Sequence, residues 1–93
     1  MEKKGRGSLT IEEADKEFKK GEAAIKTGVF KWSADYLEGT SHFEKAAKAY
    51  KQLGEKQKAI QAFLKYSLCS EKQNEFYGAA EGLAEAAFLE QNK

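Results

Sequence analysis

Residues 34–73 read ADYLEGTSHFEKAAKAYKQLGEKQKAIQAFLKYSLCSEKQ, and this stretch decides the fold. It has no proline, it is rich in Ala, Lys, Glu and Gln, and its apolar residues recur at helical spacing. The pattern predicts one helix over 34–53, ended by Gly54. A second helix is predicted over 55–73, and the very short link requires it to pack antiparallel to the first.

The apolar stripes of these two helices predict the side chains of the core. The stripe of the first contains Tyr36, Phe43, Ala46, Ala47, Tyr50 and Leu53. The stripe of the second contains Ala59, Ile60, Phe63, Leu64, Ser67 and Leu68.

Two further helices are predicted outside this stretch. The earlier one starts near Thr10, which forms a capping box with Glu13, and ends at Gly28 as a left-handed cap. The later one starts near Glu75 and runs to the chain end. Their apolar stripes are Ala14, Phe18, Gly21 and Ile25 in the earlier helix, and Phe76, Ala80, Leu83, Ala86 and Ala87 in the later one.

An internal repeat appears when the chain is shifted by 40 residues. Tyr36 then aligns with Phe76, Phe43 with Leu83, and the Ala46–Ala47 pair with a second alanine pair. This period is typical of stacked helical hairpins. The sequence therefore predicts an all-α fold, antiparallel hairpins of a TPR-like α-solenoid with about four helices, over residues 10–93 after a flexible segment 1–9.

Composition excludes several classes of function. The 93 residues suffice for one small domain, and 16 basic against 15 acidic residues argue against a nucleic-acid binder. Cys69 is the one cysteine, which favours a reducing compartment. The start of the chain lacks the apolar core of a secretory signal, and no apolar run approaches the roughly 18 residues of a spanning helix.

No catalytic pattern is present in the sequence. His42 has no second histidine with which to build a metal site, and Gly5 and Gly7 precede no phosphate-binding signature. We therefore expect neither an enzyme nor a cofactor.

The connection between the first two helices, TGVFKWSADY over residues 27–36, is unusually apolar. Val29, Phe30 and Trp32 stand where a solvated loop is normally polar, and Lys26 and Lys31 flank them. Such side chains either fold back as a staple across the hairpin or contact something outside the molecule. A membrane surface or a protein partner suits both the apolar residues and the charge.

Residues 26–68 combine four features in a fixed order: a Lys-Thr-Gly helix end, an aromatic loop with a Lys-Trp pair, an Asp-Tyr helix start and an alanine pair ten residues later. In this combination the stretch resembles the N-terminal part of the soluble NSF attachment proteins, the SNAP family, and their gamma branch most. The resemblance fades before Lys16 and is looser after Glu71.

This resemblance implies a non-catalytic adaptor of membrane fusion and vesicle-mediated transport, cytoplasmic and peripheral on membranes. It would bind an assembled SNARE complex and recruit the NSF-type ATPase. The loop between the first two helices is the membrane-contacting element of the family, so the expected membrane contacts are Val29, Phe30, Lys31 and Trp32. A SNARE bundle has an acidic exterior, so the candidate SNARE-facing residues are Lys45, Lys48, Lys51, Lys58 and Lys65. A lysine row is also common on a merely solvated helix face.

The C-terminal end departs from the family, because no tail that stimulates the ATPase follows. Phe88 and Leu89 are left uncovered on the last helix, which predicts an incomplete solenoid or self-association through that helix. Two alternative functions remain: a generic peptide-binding repeat module, and a self-associating helical scaffold without membrane contact.

Overall fold

The computed structural model describes residues 9–26 and 35–91. These residues form four α-helices: α1 (Ile11–Ile25), α2 (Tyr36–Leu53), α3 (Lys56–Lys72) and α4 (Phe76–Gln91). Each helix packs against the next one in the sequence, α1 on α2, α2 on α3 and α3 on α4. The predicted all-α fold of antiparallel helical hairpins is confirmed.

The start of α1 follows the prediction. Thr10 Oγ1 accepts a hydrogen bond from the Glu13 amide at 3.1 Å, and Glu13 Oε1 accepts one from the Thr10 amide at 2.9 Å. This reciprocal pair is the capping box. Of the predicted flexible segment 1–9, the structure describes Leu9, which packs partly buried against the core.

The end of α1 differs from the prediction, since the helix stops at Ile25 and not at Gly28. Lys26 already has an extended backbone with ψ 137°. In a continued helix the Ala24 carbonyl would accept the amide four residues on, but here it accepts the Asp35 amide at 2.8 Å. The contact that closes the α1–α2 hairpin therefore also ends α1, and Gly28 lies outside the described residues.

Helix α2 ends where predicted, but it starts two residues later than predicted. It begins at Tyr36, not at residue 34, because Asp35 is the N-cap and its side chain accepts the Glu38 amide at 3.0 Å. Gly54 ends it with φ 79°, a left-handed conformation that glycine adopts without a Cβ clash. The short link then turns α3 back along α2.

The core lies where α1 and α3 pack on the two sides of α2. Phe43 is completely buried beside Tyr66 and Cys69, and its ring meets that of Phe18 edge to face at 5.2 Å. A second cluster joins small and large side chains of all four helices. Its larger members are Tyr50, Ile60 and Phe63, and its alanines are Ala14, Ala46, Ala47, Ala49, Ala59, Ala62 and Ala86.

The prediction that three leucines belong to the core is wrong. Leu53, Leu64 and Leu68 are each at least 40% exposed. Leu64 and Leu68 belong to α3, which has neighbours on two sides, α2 and α4, and therefore buries a broad face rather than one narrow stripe. The positions taken instead are Ala62, Tyr66, Cys69 and Ser70.

The predicted core face of α4 is also mostly wrong. Only Ala86 of that set is buried, whereas the side that meets α3 consists of Gly78, Gly82 and Ala86. These small residues let α4 approach α3 closely. The Cβ that any other residue would add at Gly82 would lie 2.8 Å from the Phe63 carbonyl oxygen.

Residues related by the 40-residue repeat therefore occupy corresponding positions in α2 and α4, but they are not equally buried. Ala46 and Ala86 are both buried, but Phe43 is fully buried while its counterpart Leu83 is 55% exposed. The physical reason is that α2 lies between two helices and α4 contacts chiefly α3.

Candidate interaction surfaces

The predicted membrane contacts Val29, Phe30, Lys31 and Trp32 lie outside the described residues. The residues on either side of them are placed. The Asp35 amide donates to the Ala24 carbonyl at 2.8 Å, so the chain leaves α1 and enters α2 at one end of the hairpin.

The same end of the molecule carries the turn between α3 and α4. Gln73 follows α3 directly, and its Nε2 donates to the Tyr36 carbonyl at 3.1 Å and to Thr40 Oγ1 at 2.6 Å. The end of α3 therefore lies beside the start of α2, and α4 begins three residues later. We call this part of the molecule, where α1 and α3 end and α2 and α4 begin, the junction end.

The five candidate SNARE-facing lysines do not form one surface. Lys58 and Lys65 line a groove between α1 and α3. Lys48 and Lys51 line a different cleft, between α2 and α4, and Lys45 lies beside Lys48 near Leu9. A single partner face would therefore meet one of the two lysine sets.

The α1–α3 groove combines an apolar floor with charged edges. Phe18, Leu64 and Leu68 form the floor, and a volume of about 350 Å³ lies over them. Glu22 and Lys65 stand at its edges. This is the arrangement expected of a surface that receives an amphipathic helix or peptide.

Several of the candidate lysines already form ion pairs within the molecule. Lys48 Nζ lies 3.0 Å from Glu44, and Lys51 Nζ lies 2.8 Å from Glu85. Exposed pairs of this kind contribute only about 0.2–1 kcal/mol. An acidic partner could therefore displace the internal carboxylates at little cost.

At one end of the groove, Asp15 links three helices. The Tyr50 hydroxyl of α2 donates to Asp15 Oδ1, and Lys58 Nζ of α3 donates to the same oxygen at 3.3 Å. Lys58 also lies over the Tyr50 ring, 5.6 Å from its centre. The Tyr50 hydrogen bond, with help from Lys58, lowers the pKa of Asp15, while burial and the Asp15 carboxylate raise the pKa of Tyr50.

We expect Asp15→Asn to remove a pH-dependent part of the stability. Because the pKa of folded Asp15 lies below the unfolded value of 3.8, its carboxylate stabilises the fold above that pH, and the contribution is lost as the pH falls through the lower folded pKa. The Asp15 side chain is 41% exposed, so we expect a loss below about 1 kcal/mol. Urea unfolding should show this difference from wild type at about pH 7 and a smaller one at about pH 2.5. An equal difference at both pH values would contradict it.

His42 joins α1 to α2 through contacts with two glutamates. Its Nδ1 lies 2.7 Å from Glu17 Oε1, and its Nε2 lies 3.5 Å from Glu38 Oε2. Burial alone would raise the pKa of Glu17, but the hydrogen bond with His42 and the nearby positive charges, Lys20 and Lys45 among them, together lower it. The contact is a link between helices of the first hairpin.

Cys69 is a packing thiol in the core. It is fully buried, and burial raises its pKa to about 11, so it is a poor nucleophile. Over residues 9–26 and 35–91, no group of three or more His, Cys, Asp or Glu side chains is arranged to hold a metal ion. Within the same residues, none of the helices has the length and apolar character needed to cross a bilayer.

Sequence reasoning missed two exposed residues at the junction end. Leu37 and Tyr77 occupy the second positions of α2 and α4, and they are 74% and 79% exposed. The internal repeat could have identified them, because the 40-residue shift aligns Leu37 with Tyr77.

Comparison with known proteins finds a relative among the soluble NSF attachment proteins. No protein-family model matches the chain. The chain is 32% identical over 71 residues to the gamma-soluble NSF attachment protein of Dictyostelium discoideum. These residues are 76% of this chain and 22% of that relative, so the chain spans about a fifth of the relative's length. Over most of its own length, the chain is therefore SNAP-like.

Proposed function

We propose that the chain acts as a SNAP-like, non-catalytic adaptor in vesicle-mediated transport and membrane fusion. It binds an assembled SNARE complex and recruits an NSF-type ATPase that disassembles the complex. The observation that carries this proposal is the 32% identity over 71 residues to a gamma-soluble NSF attachment protein. The stack of antiparallel hairpins is compatible with residues 10–93 being the N-terminal part of such a solenoid.

In this proposal the adaptor is cytoplasmic and peripheral, and Val29, Phe30, Lys31 and Trp32 touch the bilayer. Support comes from the flanking residues Lys26 and Asp35, which both lie at the junction end. Full burial of a large apolar side chain contributes about 1.5–3 kcal/mol, and partial insertion contributes less. Attachment to a membrane-tethered SNARE bundle raises the effective concentration, so weak insertion is sufficient.

Either of the two lysine sets could face the acidic SNARE bundle. The variant Lys58→Glu/Lys65→Glu replaces two basic residues of the α1–α3 groove by acidic ones, and Lys48→Glu/Lys51→Glu does the same in the α2–α4 cleft. We expect only one of them to weaken capture of an assembled SNARE bundle. Equal binding by wild type and both variants would remove the lysines from the proposed contact.

Flotation with vesicles tests the proposal as a whole. Vesicles carrying an assembled SNARE bundle are compared with bare vesicles, for wild type and for Phe30→Ser/Trp32→Ser, with circular dichroism as the check of folding. We expect wild type to float best with the SNARE-bearing vesicles, and the folded variant to float less. Absence of flotation on both kinds of vesicle would contradict the proposal.

The outward face of α4 favours a second candidate, a self-associating helical scaffold. Ala80, Leu83, Ala84 and Ala87 lie at helical spacing on the side away from α3, and all four are exposed. An exposed apolar face of this kind often marks an interaction site. Sedimentation equilibrium separates the candidates, since a concentration-dependent dimer supports the scaffold and a monomer at high concentration removes it. The peptide-binding alternative instead rests on the α1–α3 groove.

A further inference from the structure

The most exposed of the large apolar side chains that the structure describes lie at the junction end. Among the described residues the three most exposed large hydrophobic side chains are Tyr77, Leu37 and Phe76, at 79%, 74% and 67%. All three lie in the first turn of α2 or α4. A group of exposed apolar residues marks an interaction site more often than single, scattered apolar residues do.

The fold brings these two first turns to the same end of the molecule. Two reversals of direction, from α2 to α3 and from α3 to α4, make α2 and α4 parallel. Gln73, in the turn before α4, is hydrogen-bonded to Tyr36 and Thr40 of the first turns of α2. Leu37 and Tyr77 therefore occupy equivalent places in the two hairpins.

Packing does not account for the apolar character of these positions. Tyr36 is partly buried against the Phe43 cluster, whereas its neighbour Leu37 points away from that cluster into solvent. The first turn of a helix is favourable for acidic and polar residues, which interact with its free amides. Leu37, Phe76 and Tyr77 contribute neither to the core nor to a cap.

Charge at the junction end does not favour an anionic partner. Among residues 9–26 and 35–91, the basic residues at this end are Lys26 and Lys72, and the acidic ones are Asp35, Glu38, Glu71 and Glu75. Asp35 and Glu75 accept the amides of Glu38 and Gly78, so part of the negative charge has a structural use. The attraction that this end can offer is therefore mainly apolar.

We propose that Leu37, Phe76 and Tyr77 form a bilayer-contact surface that inserts shallowly into zwitterionic lipid. The proposal rests on the proposed function, because the residues flanking the predicted membrane contacts, Lys26 and Asp35, lie at the same end. A tyrosine with an apolar ring and a polar hydroxyl suits the membrane interface. The surface would fix the tilt of the adaptor, since α2 and α4 would both direct their first turns toward the lipid.

Leu37→Ser and Leu53→Ser make a matched pair for the test. Both replace an exposed leucine of α2, the first at the junction end and the second at the other end of the helix. Binding to vesicles of phosphatidylcholine alone is measured by co-sedimentation at increasing lipid. We expect Leu37→Ser to lower the partition coefficient about threefold, Leu37→Ser/Tyr77→Ser about tenfold, and Leu53→Ser not at all.

The single tryptophan separates this inference from the proposed function. Trp32 emission reports its own contact with lipid, and every variant above retains it. A weaker partition with an unchanged emission maximum of the bound form supports the junction-end surface. Equal binding by wild type, Leu37→Ser and Leu37→Ser/Tyr77→Ser overturns the surface and leaves the Val29–Trp32 contact standing. Absence of binding and of an emission shift in wild type overturns the junction-end surface. Binding that requires a SNARE bundle on the vesicle also overturns this surface, but it leaves the proposed adaptor function standing.

Discussion

Replacing Phe43 by alanine is expected to lower the free energy of unfolding by about 3–5 kcal/mol. Phe43 is completely buried and lies where α1, α2 and α3 meet, beside Phe18, Tyr66 and Cys69. Small domains have only about 5–15 kcal/mol of stability in total. The variant should therefore be close to unfolding at room temperature, as urea denaturation followed by circular dichroism would show.

A double-mutant cycle with Gly21 checks the cause of this loss. A Cβ at Gly21 would lie 2.8 Å from the Phe43 ring, so Gly21→Ala alone should destabilise the protein. In the Phe43→Ala background the same methyl group enters the vacated space, and the coupling should be about 1 kcal/mol in the stabilising direction. Additive effects of the two substitutions would contradict the described packing.

The second large effect is expected at the α3–α4 contact. Gly82→Leu places a Cβ 2.8 Å from the Phe63 carbonyl oxygen and 2.9 Å from Ser67 Cβ. A backbone carbonyl cannot turn aside as a long side chain can, so α4 must move away from α3. Overpacking of this kind costs about 1–3 kcal/mol and sometimes more.

Hydrogen exchange measures the result helix by helix. Because α4 contacts chiefly α3, we expect Gly82→Leu to remove the protection of amides in α4 and to leave α1 and α2 protected. Ala80→Leu is the matched control, since it enlarges an exposed position of the same helix. Retained protection of α4 in Gly82→Leu would show that the small-residue face is not needed for close packing.

The parts of the fold that could be predicted from sequence depend on local chemistry. The capping box of Thr10 and Glu13 acts over three residues, and Gly54 ends α2 through its own backbone conformation. The burial of Phe43, Ala46 and Tyr50 follows from a stripe on one helix. Each of these features depends only on residues of one helix and its ends, so the sequence of that helix is enough to predict it.

The parts that could not be predicted depend on residues far apart in the chain. The Tyr50–Asp15 and His42–Glu17 contacts join residues of different helices, and no local sequence pattern predicts them. The face of α4 was misassigned because large apolar residues were expected to enter the core. The close approach to α3 instead requires Gly78 and Gly82 there, and Leu83 is left outside.

The candidate site also has a part that local sequence predicts and a part that depends on the fold. A local anomaly, the apolar segment between α1 and α2, predicts Val29, Phe30, Lys31 and Trp32 from sequence, and these contacts remain a prediction. The separation of the lysines into two sets depends on how the helices are rotated in the fold, as Lys51 and Lys58 show. Seven-residue spacing on one helix could relate Lys58 to Lys65 but not to the lysines of α2.

The most direct test of the adaptor proposal uses Trp32, the one tryptophan of the chain. Its fluorescence is followed as the protein is titrated with vesicles that carry an assembled SNARE bundle and contain brominated lipid, which quenches tryptophan on contact. The proposal predicts a shift of the emission to shorter wavelength and strong quenching, both reduced in Phe30→Ser. Binding to the vesicles with an unquenched, unshifted Trp32 would contradict membrane contact through this segment.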